Sequence, residues 1–480
     1  MSFFVFNRKI FIHLKLPEDF LKTLPALGPS ADGLGDALAD GEAITAIRIN
    51  DAKGARAAAG AEPVGWCKQG FYLAERVLFA ADPAWHQGLY YVQEPSSMAA
   101  SHAMSQLVEL RREAGRPLRV LDACAAPGGK TIGILQCLEA DDFVVANEYD
   151  PHRCDILLEN LAKYGADNVA VCRGDARAFS GLPEAFDIIA ADVPCSGEGM
   201  MRKEEAAVAQ WSEGLVRQCA ALQRDILESL WRALAPGGYL LYSTCTFNKA
   251  ENEDNLRHMV ENHGAVSVPL ALEAMPGVAA AVEEGIHGCR FYPGRIRGEG
   301  QFVGALQKPL AEPASPAKDR RSTGQHKSVA NPSTALMKEP ENFVCSGKET
   351  IYAVRTVHAA FVQTLCAKVK AVRPGLPVAQ LKGRDYVPSH ELVLSRQYLR
   401  GSLPEVELDR GAALEYLRGK AMTELPGDLP RGYFAPTYGG LPLGLAKYVG
   451  SRANNLYPSE QRLRLPAEAT ASSNIEIIER

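Results

Sequence analysis

The sequence has no apolar run approaching the roughly 18 residues that a membrane span requires. No membrane partner is therefore expected. The opening MSFFVFNRKIFIHL is apolar only in patches, because Asn7, Arg8 and Lys9 divide it, and no small-residue cleavage site follows. A secretory signal is not expected. The 11 cysteines in 480 residues include no CxxC pair and follow no regular spacing, unlike a disulfide framework or a zinc ribbon. A reducing, cytoplasmic setting without a bound metal is the reading, and a monomer is expected. Charge of one sign is also scarce. The net charge of −5 gives no global pull toward nucleic acid, so such binding has to come from local basic patches. No repeat of 20–50 residues is present. What remains, 46% hydrophobic and 23% charged, is the mix of a soluble globular protein, and the length suggests about three units.

One composition break divides the chain. Between Pro309 and Pro340 five prolines sit among Ser, Thr, Ala and scattered charges without periodicity, which reads as a linker over 309–345. Residues 96–308 carry the sharp motifs, preceded by an N-terminal unit (1–95) and followed by a Gly-, Pro-, Tyr- and Leu-rich unit (346–480). The middle block alternates strands and helices. Strands are predicted at Leu118–Asp122, Asp142–Glu148, Asn168–Cys172, Phe186–Asp192 and Tyr239–Ser243. A helix is predicted over about 214–235, where Leu215, Cys219, Leu222, Ile226 and Leu230 repeat on one face and Pro236-Gly237-Gly238 provides the stop. Apolar strands alternating with helices predict an α/β fold with a parallel sheet covered on both faces.

In such sheets ligands bind beyond the carboxyl ends of the strands, where the strand order reverses. The first strand runs into Asp122-Ala123-Cys124-Ala125-Ala126-Pro127-Gly128-Gly129-Lys130-Thr131. Small residues here let a ligand approach the backbone, and the next helix offers free amides. The stretch matches neither GxGxxG nor GxxxxGK[ST], which argues against a dinucleotide or a nucleoside triphosphate. Glu148 ends the second strand, a position suited to the two hydroxyls of a ribose. Asp175, after Gly174 at the end of the third, is placed to meet an adenine amino group. These signals point to an adenosine ligand without a pyrophosphate, and S-adenosylmethionine fits.

The fourth and fifth strands end in Asp192-Val193-Pro194-Cys195-Ser196-Gly197 and Ser243-Thr244-Cys245-Thr246. Two strands thus present a cysteine at the cofactor edge. Cys67, Cys137, Cys154, Cys172, Cys219 and Cys366 read instead as small buried hydrophobes. Zinc would require about four ligands, and no CxxC or HxxxH accompanies the pair. A thiol–disulfide couple is conceivable, but covalent catalysis by a thiolate fits more closely.

The Cys124–Thr131 stretch, the two cysteine motifs, Gln93-Glu94-Pro95-Ser96-Ser97-Met98, Glu198–Lys203 and Cys289-Arg290-Phe291-Tyr292-Pro293 resemble the Nop/Sun family of RNA 5-methylcytosine methyltransferases. Gly294 departs from that pattern, in which a histidine often follows Tyr-Pro. The resemblance implies a Rossmann-like core that binds S-adenosylmethionine through Cys124, Ala125, Ala126, Pro127, Gly128, Gly129, Lys130, Glu148, Asp175 and Asp192. It implies Cys245 as the nucleophile that adds to carbon 6 of cytosine, Cys195 as the thiol that assists release, and Asp192 and Lys130 as stabilisers of developing charge. Its substrate would be RNA, with ribosomal RNA or the small ribosomal subunit ahead of transfer RNA. The flanking units would bind RNA, the N-terminal one as a separate domain and the C-terminal one as a β-rich PUA-like module. In 361–480 there are 16 Lys plus Arg against 12 Asp plus Glu. Lys368, Lys370 and Arg373, then Lys382 and Arg384 beside Tyr386, form local basic clusters. A non-catalytic RNA-binding assembly factor and a DNA cytosine methyltransferase are the competing classes. The first would need none of the four catalytic candidates, and the second would not require Cys245.

Overall fold

The computed structural model describes residues 15–40, 44–113, 115–281, 283–310, 328–465, 475 and 477–478. The opening segment at 1–14 and residues 311–327 of the Pro-rich stretch lie outside the described residues. The N-terminal unit builds a small antiparallel sheet from β1 (Ala46–Ile49), β2 (Glu62–Val64), β3 (Cys67–Tyr72) and β4 (Tyr90–Val92), ordered β2-β3-β1-β4. Arg48 on β1 is buried and donates to Gln93 Oε1 (2.7 Å), Ser101 Oγ (2.7 Å) and Gln136 Oε1 (2.9 Å). A guanidinium out of water requires such partners. Ser101 lies on α1 (Ala99–Arg111), so Arg48 fastens this sheet to the central block.

The central block alternates as expected: β5 (Arg119–Asp122), α2 (Gly129–Gln136), β6 (Phe143–Glu148), α3 (Pro151–Tyr164), β7 (Val169–Arg173), β8 (Phe186–Asp192), α4 (Glu213–Ala233) and β9 (Leu234–Thr244). Local chemistry sets the helix limits. Asp150 caps α3 by accepting from the Arg153 amide (2.9 Å), Pro151 occupies its first turn, and Gly165 ends it at φ 83°. Helix α4 stops at Ala233, before Pro236-Gly237-Gly238. That stretch lies inside β9, where the register with β8 shifts between Leu234 and Tyr239. A Cβ at Gly238 would stand 2.7 Å from the Asp187 carbonyl oxygen, so the close strand approach requires glycine there.

Strands β5 to β9 are parallel, with β5 between β6 and β8. The chain moves one way from β5 to β7, then crosses back to β8 and β9, so the order reverses beside β5. The sheet as a whole is mixed. After α5 (Glu253–His263), β10 (Cys289–Phe291) and β11 (Gln301–Gln307) extend it antiparallel beyond β9. Apolar runs signal burial on two faces but carry no strand direction, which is why an all-parallel sheet was expected.

The C-terminal region also differs from expectation. Strands Phe343–Ser346 and Thr350–Arg355 pair, so the boundary expected at 346 falls at a strand end rather than after a linker. Helix α6 (Ala359–Lys368) sets Phe361 against Phe143 and Phe186, with ring centroids 6.3 and 5.8 Å apart, and β12 (Ala371–Arg373) pairs with β7. This segment belongs to the central sheet as much as to the C-terminal unit. A β-rich unit then forms from Glu405–Glu407, Gly432–Tyr438, Leu441–Pro442, Ala446–Tyr448 and Ala453–Asn455. Lys368, Lys370, Lys382 and Arg384 are exposed, but Arg373 is buried and pairs with Glu391 at 3.1 Å, so it is not part of a basic surface. Cys67, Cys154 and Cys172 are buried as expected. Cys137 and Cys219 are partly exposed, and Cys366 is exposed on α6.

Between the N-terminal unit and the last β-rich unit, His86 donates through Nε2 to the Ala80 carbonyl (2.9 Å) and accepts from the Tyr457 hydroxyl at Nδ1 (2.9 Å). The His390 ring meets Tyr457 edge-on at 5.2 Å. Burial, with neighbouring lysines, pushes both histidines down to about 3. A folded value below the unfolded one makes this stability complete above about pH 6.5, and it is lost as pH falls below that. His390→Leu should therefore lose about 1 kcal/mol less than wild type between pH 7.5 and 5.5, measured by urea unfolding.

Candidate active site

At the carboxyl end of β5 the chain enters a tight loop and then α2. A Cβ at Gly129 would stand 2.9 Å from Tyr91 Cε1 of β4, so the N-terminal sheet packs directly on this loop. Glu148, buried at the end of β6, accepts from the Ala126 amide (3.2 Å) and the Asp150 amide (2.9 Å). Asp175 follows β7, caps the next turn and pairs with Arg177 at 2.6 Å, which holds its carboxyl below the usual range. Cys124 lies in the loop, and burial pushes its thiol up. The loop and the acids that end β6, β7 and β8 thus sit along one edge of the sheet. Small side chains for a ligand to lie against and carboxylates for hydroxyl and amino groups suit an adenosine ligand.

Lys130, in the first turn of α2, reaches Asp192 with Nζ 2.9 Å from Oδ2. The other oxygen of Asp192 accepts from Ser243 Oγ (2.7 Å) and Gln301 Nε2 (3.4 Å). Burial presses the Lys130 ammonium toward neutrality, but Asp192 outweighs it and holds the group above the ordinary lysine value. Asp122 lines the same small cavity with Lys130, Asp192 and Ser243. One of its oxygens accepts from Thr131 Oγ1 (2.6 Å), and the other is buried with no hydrogen-bond partner among the described residues. Burial raises this carboxyl to about 7.

Cys195 and Cys245 leave the adjacent strands β8 and β9 with their sulfurs 3.2 Å apart, and both are free thiols. The hydrogen bond to Cys245 and burial push the Cys195 thiol well above its ordinary range, so Cys195 keeps its proton. Two buried carboxylates hold the loops together by reaching across in opposite directions. Glu198, from the Cys195 loop, accepts from the Phe247 (2.6 Å) and Asn248 (3.0 Å) amides and from Trp211 Nε1 (3.2 Å). Glu251, from the Cys245 loop, accepts from the Ser196 amide (2.9 Å), Gln223 Nε2 (2.8 Å) and Asn248 Nδ2 (2.8 Å). A Cβ at Gly199 would lie 3.0 Å from the Cys245 carbonyl oxygen and 2.9 Å from that of Glu299. Glu94 joins this assembly by accepting from the Ser96, Ser97 and Glu299 amides at 2.8–2.9 Å.

The structure therefore gathers Cys245, Cys195, Asp192 and Lys130 in one place, with the loop Cys124–Gly129 and Glu148 along the same edge. Asp175 stands there too, with its carboxylate engaged by Arg177. Sequence reasoning missed Asp122, Glu198, Ser243, Glu251 and Gln301. Glu198 opens the Glu198–Lys203 stretch and could have been flagged there. Gln301 carries no local signal.

Both oxygens of Glu251 accept, so a glutamine there would turn an amide N–H₂ toward a donor. Glu251→Gln should lower stability by about 1–3 kcal/mol in urea unfolding, and Glu251→Ala by at least as much.

The chain matches known proteins along most of its length. Residues 16–95 match the family model for the N-terminal domain of 16S rRNA methyltransferase RsmF, 111–307 that for 16S rRNA methyltransferase RsmB/F, and 403–463 that for the methyltransferase RsmF PUA domain. The chain is 32% identical over 418 residues to ribosomal RNA small subunit methyltransferase F of Shewanella loihica, covering 83% of each chain. It is 35% identical over 427 residues to the Cronobacter sakazakii protein of the same name, covering 83% of this chain and 84% of that one. The structure of NSun6 from Pyrococcus horikoshii with SFG shares the fold at 19% identity and a TM-score of 0.50, over 62% of this chain and 99% of that one. With three family models in chain order and curated relatives aligned over most of its length, the chain belongs to the ribosomal RNA small subunit methyltransferase F family.

Proposed function

We propose that this protein methylates carbon 5 of a cytosine in small-subunit ribosomal RNA, with Cys245 as nucleophile and Cys195 assisting release. The observation that carries the reading is the pair of free thiols 3.2 Å apart beside the Lys130–Asp192 ion pair. When bound, S-adenosylmethionine supplies an electrophilic methyl group. Glu148 and Asp175 are assigned to its ribose and adenine, and the Cys124–Gly129 loop to its close backbone contacts.

Cytosine carbon 5 is a weak nucleophile within an aromatic ring. Addition of the Cys245 thiolate to carbon 6 breaks the aromaticity and moves electron density to carbon 5, which then takes the methyl group. The Cys195 S–H, which retains its proton, donates toward the Cys245 sulfur 3.2 Å away. The Asp192 carboxylate accepts from the exocyclic amine of the base. The Lys130 ammonium offsets the negative charge that the ring acquires on attack. In release the proton leaves carbon 5 for Cys195, the 5,6 double bond forms and the Cys245 sulfur departs with the proton that Cys195 held, so both cysteines end as thiols. Cys195 is the adjacent group placed to assist. A base held in folded RNA has to leave its stack to reach these groups.

Glu148→Ala should weaken S-adenosylmethionine binding by about 1–3 kcal/mol in calorimetry, because ribose hydroxyls lose their acceptor. Unchanged affinity in the folded variant would remove Glu148 from the site. The cysteine roles separate on a denaturing gel after incubation with labelled cofactor and small-subunit RNA, naked or in subunits. Cys245→Ala should give neither 5-methylcytosine nor a protein–RNA adduct, whereas Cys195→Ala should accumulate the adduct. The opposite pattern reverses the roles. No label in 5-methylcytosine with any of these RNAs sinks the reading.

A further inference from the structure

Away from the cysteine pair, Glu228 of α4 meets His258 and His263 of α5. One ligand atom from each lies within 4.8 Å of the other two. Glu228 Oε1 is 2.9 Å from His258 Nε2 and 3.9 Å from His263 Nε2. Ligand atoms on a tetrahedral zinc-type cation stand about 3.3 Å apart, so modest adjustments would seat an ion among the three. The His263 Nε2 atom is shut off from water and has no hydrogen-bond partner among the described residues. A buried ring nitrogen without a partner is costly, and a cation at that point would satisfy it.

We propose that Glu228, His258 and His263 bind one borderline divalent cation of the zinc class and clamp α4 to α5. Two imidazoles and one carboxylate select such ions over magnesium or calcium, which demand oxygen donors. The three ligands leave a fourth position for water. The side chains keep 44%, 26% and 30% exposure respectively, so the cluster stands at the protein surface although the His263 Nε2 atom itself is covered. The ion would join the helices that precede and follow β9 in the chain, β9 being the strand that leads to Cys245. The site stands independently of the reaction assigned above.

The test uses the full chain, freed of metal with a chelator and kept reduced. Cobalt titration should give visible d–d bands that saturate at one ion per chain, without the near-ultraviolet band of sulfur ligation. That absence separates this site from the 11 cysteines. Zinc should compete the cobalt signal away and raise the melting temperature. His263→Ala and His258→Ala, each confirmed folded by circular dichroism, should lower zinc affinity at least about tenfold, and Glu228→Gln should weaken it as well. Binding that does not saturate, a spectrum dominated by thiolate, or equal affinity in the His263 variant overturns the proposal. In that event the cluster is a surface ion pair.

Discussion

Two loops with no covalent link must bring their cysteines into contact, and the buried exchange of Glu198 and Glu251 is what holds them there. Each carboxylate sits on one loop and accepts backbone amides of the other, so neither loop can move without leaving several buried donors unpaired. Carboxylates are costly to bury, and these two are tolerated because Trp211 and Gln223 add donors from elsewhere and the Asn248 side chain adds one from the Cys245 loop. Gly199 completes the contact by letting backbone approach backbone where any side chain would intrude. The sulfur separation follows from this arrangement and not from either strand alone.

Around that contact the charges are unequal in number. One ammonium, Lys130, stands close to Asp192 and Asp122. It pairs with Asp192 and leaves Asp122 to Thr131. This explains why burial can carry Asp122 up to about 7 while Lys130 stays charged. The outcome is a cationic group fixed beside the thiols.

The flanking units are built into the same frame. Arg48 anchors the N-terminal sheet to α1 and α2, and Tyr91 of that sheet packs on the glycine turn of the Cys124–Gly129 loop. On the other side, β12 adds a strand beside β7 and α6 stacks its Phe361 on the core. Both flanking units are thereby positioned by the sheet that carries Cys195 and Cys245.

The sequence by itself determined the strand–helix alternation, the cofactor loop and the two cysteine motifs, because each is written in a contiguous stretch whose period or turn chemistry needs no distant partner. It also placed Cys195 and Cys245 at one edge, since both end strands that the pattern makes parallel. Only the tertiary structure decided the antiparallel flank of the sheet, the fusion of 343–373 to the core and the burial of Arg373. Apolar runs carry no direction, and a basic residue in sequence does not reveal whether a distant acid such as Glu391 meets it. The same holds for Glu198, Glu251 and Gln301. Their partners lie across 28 to 109 positions of chain, and no local period links residues that meet only when two strands lie side by side.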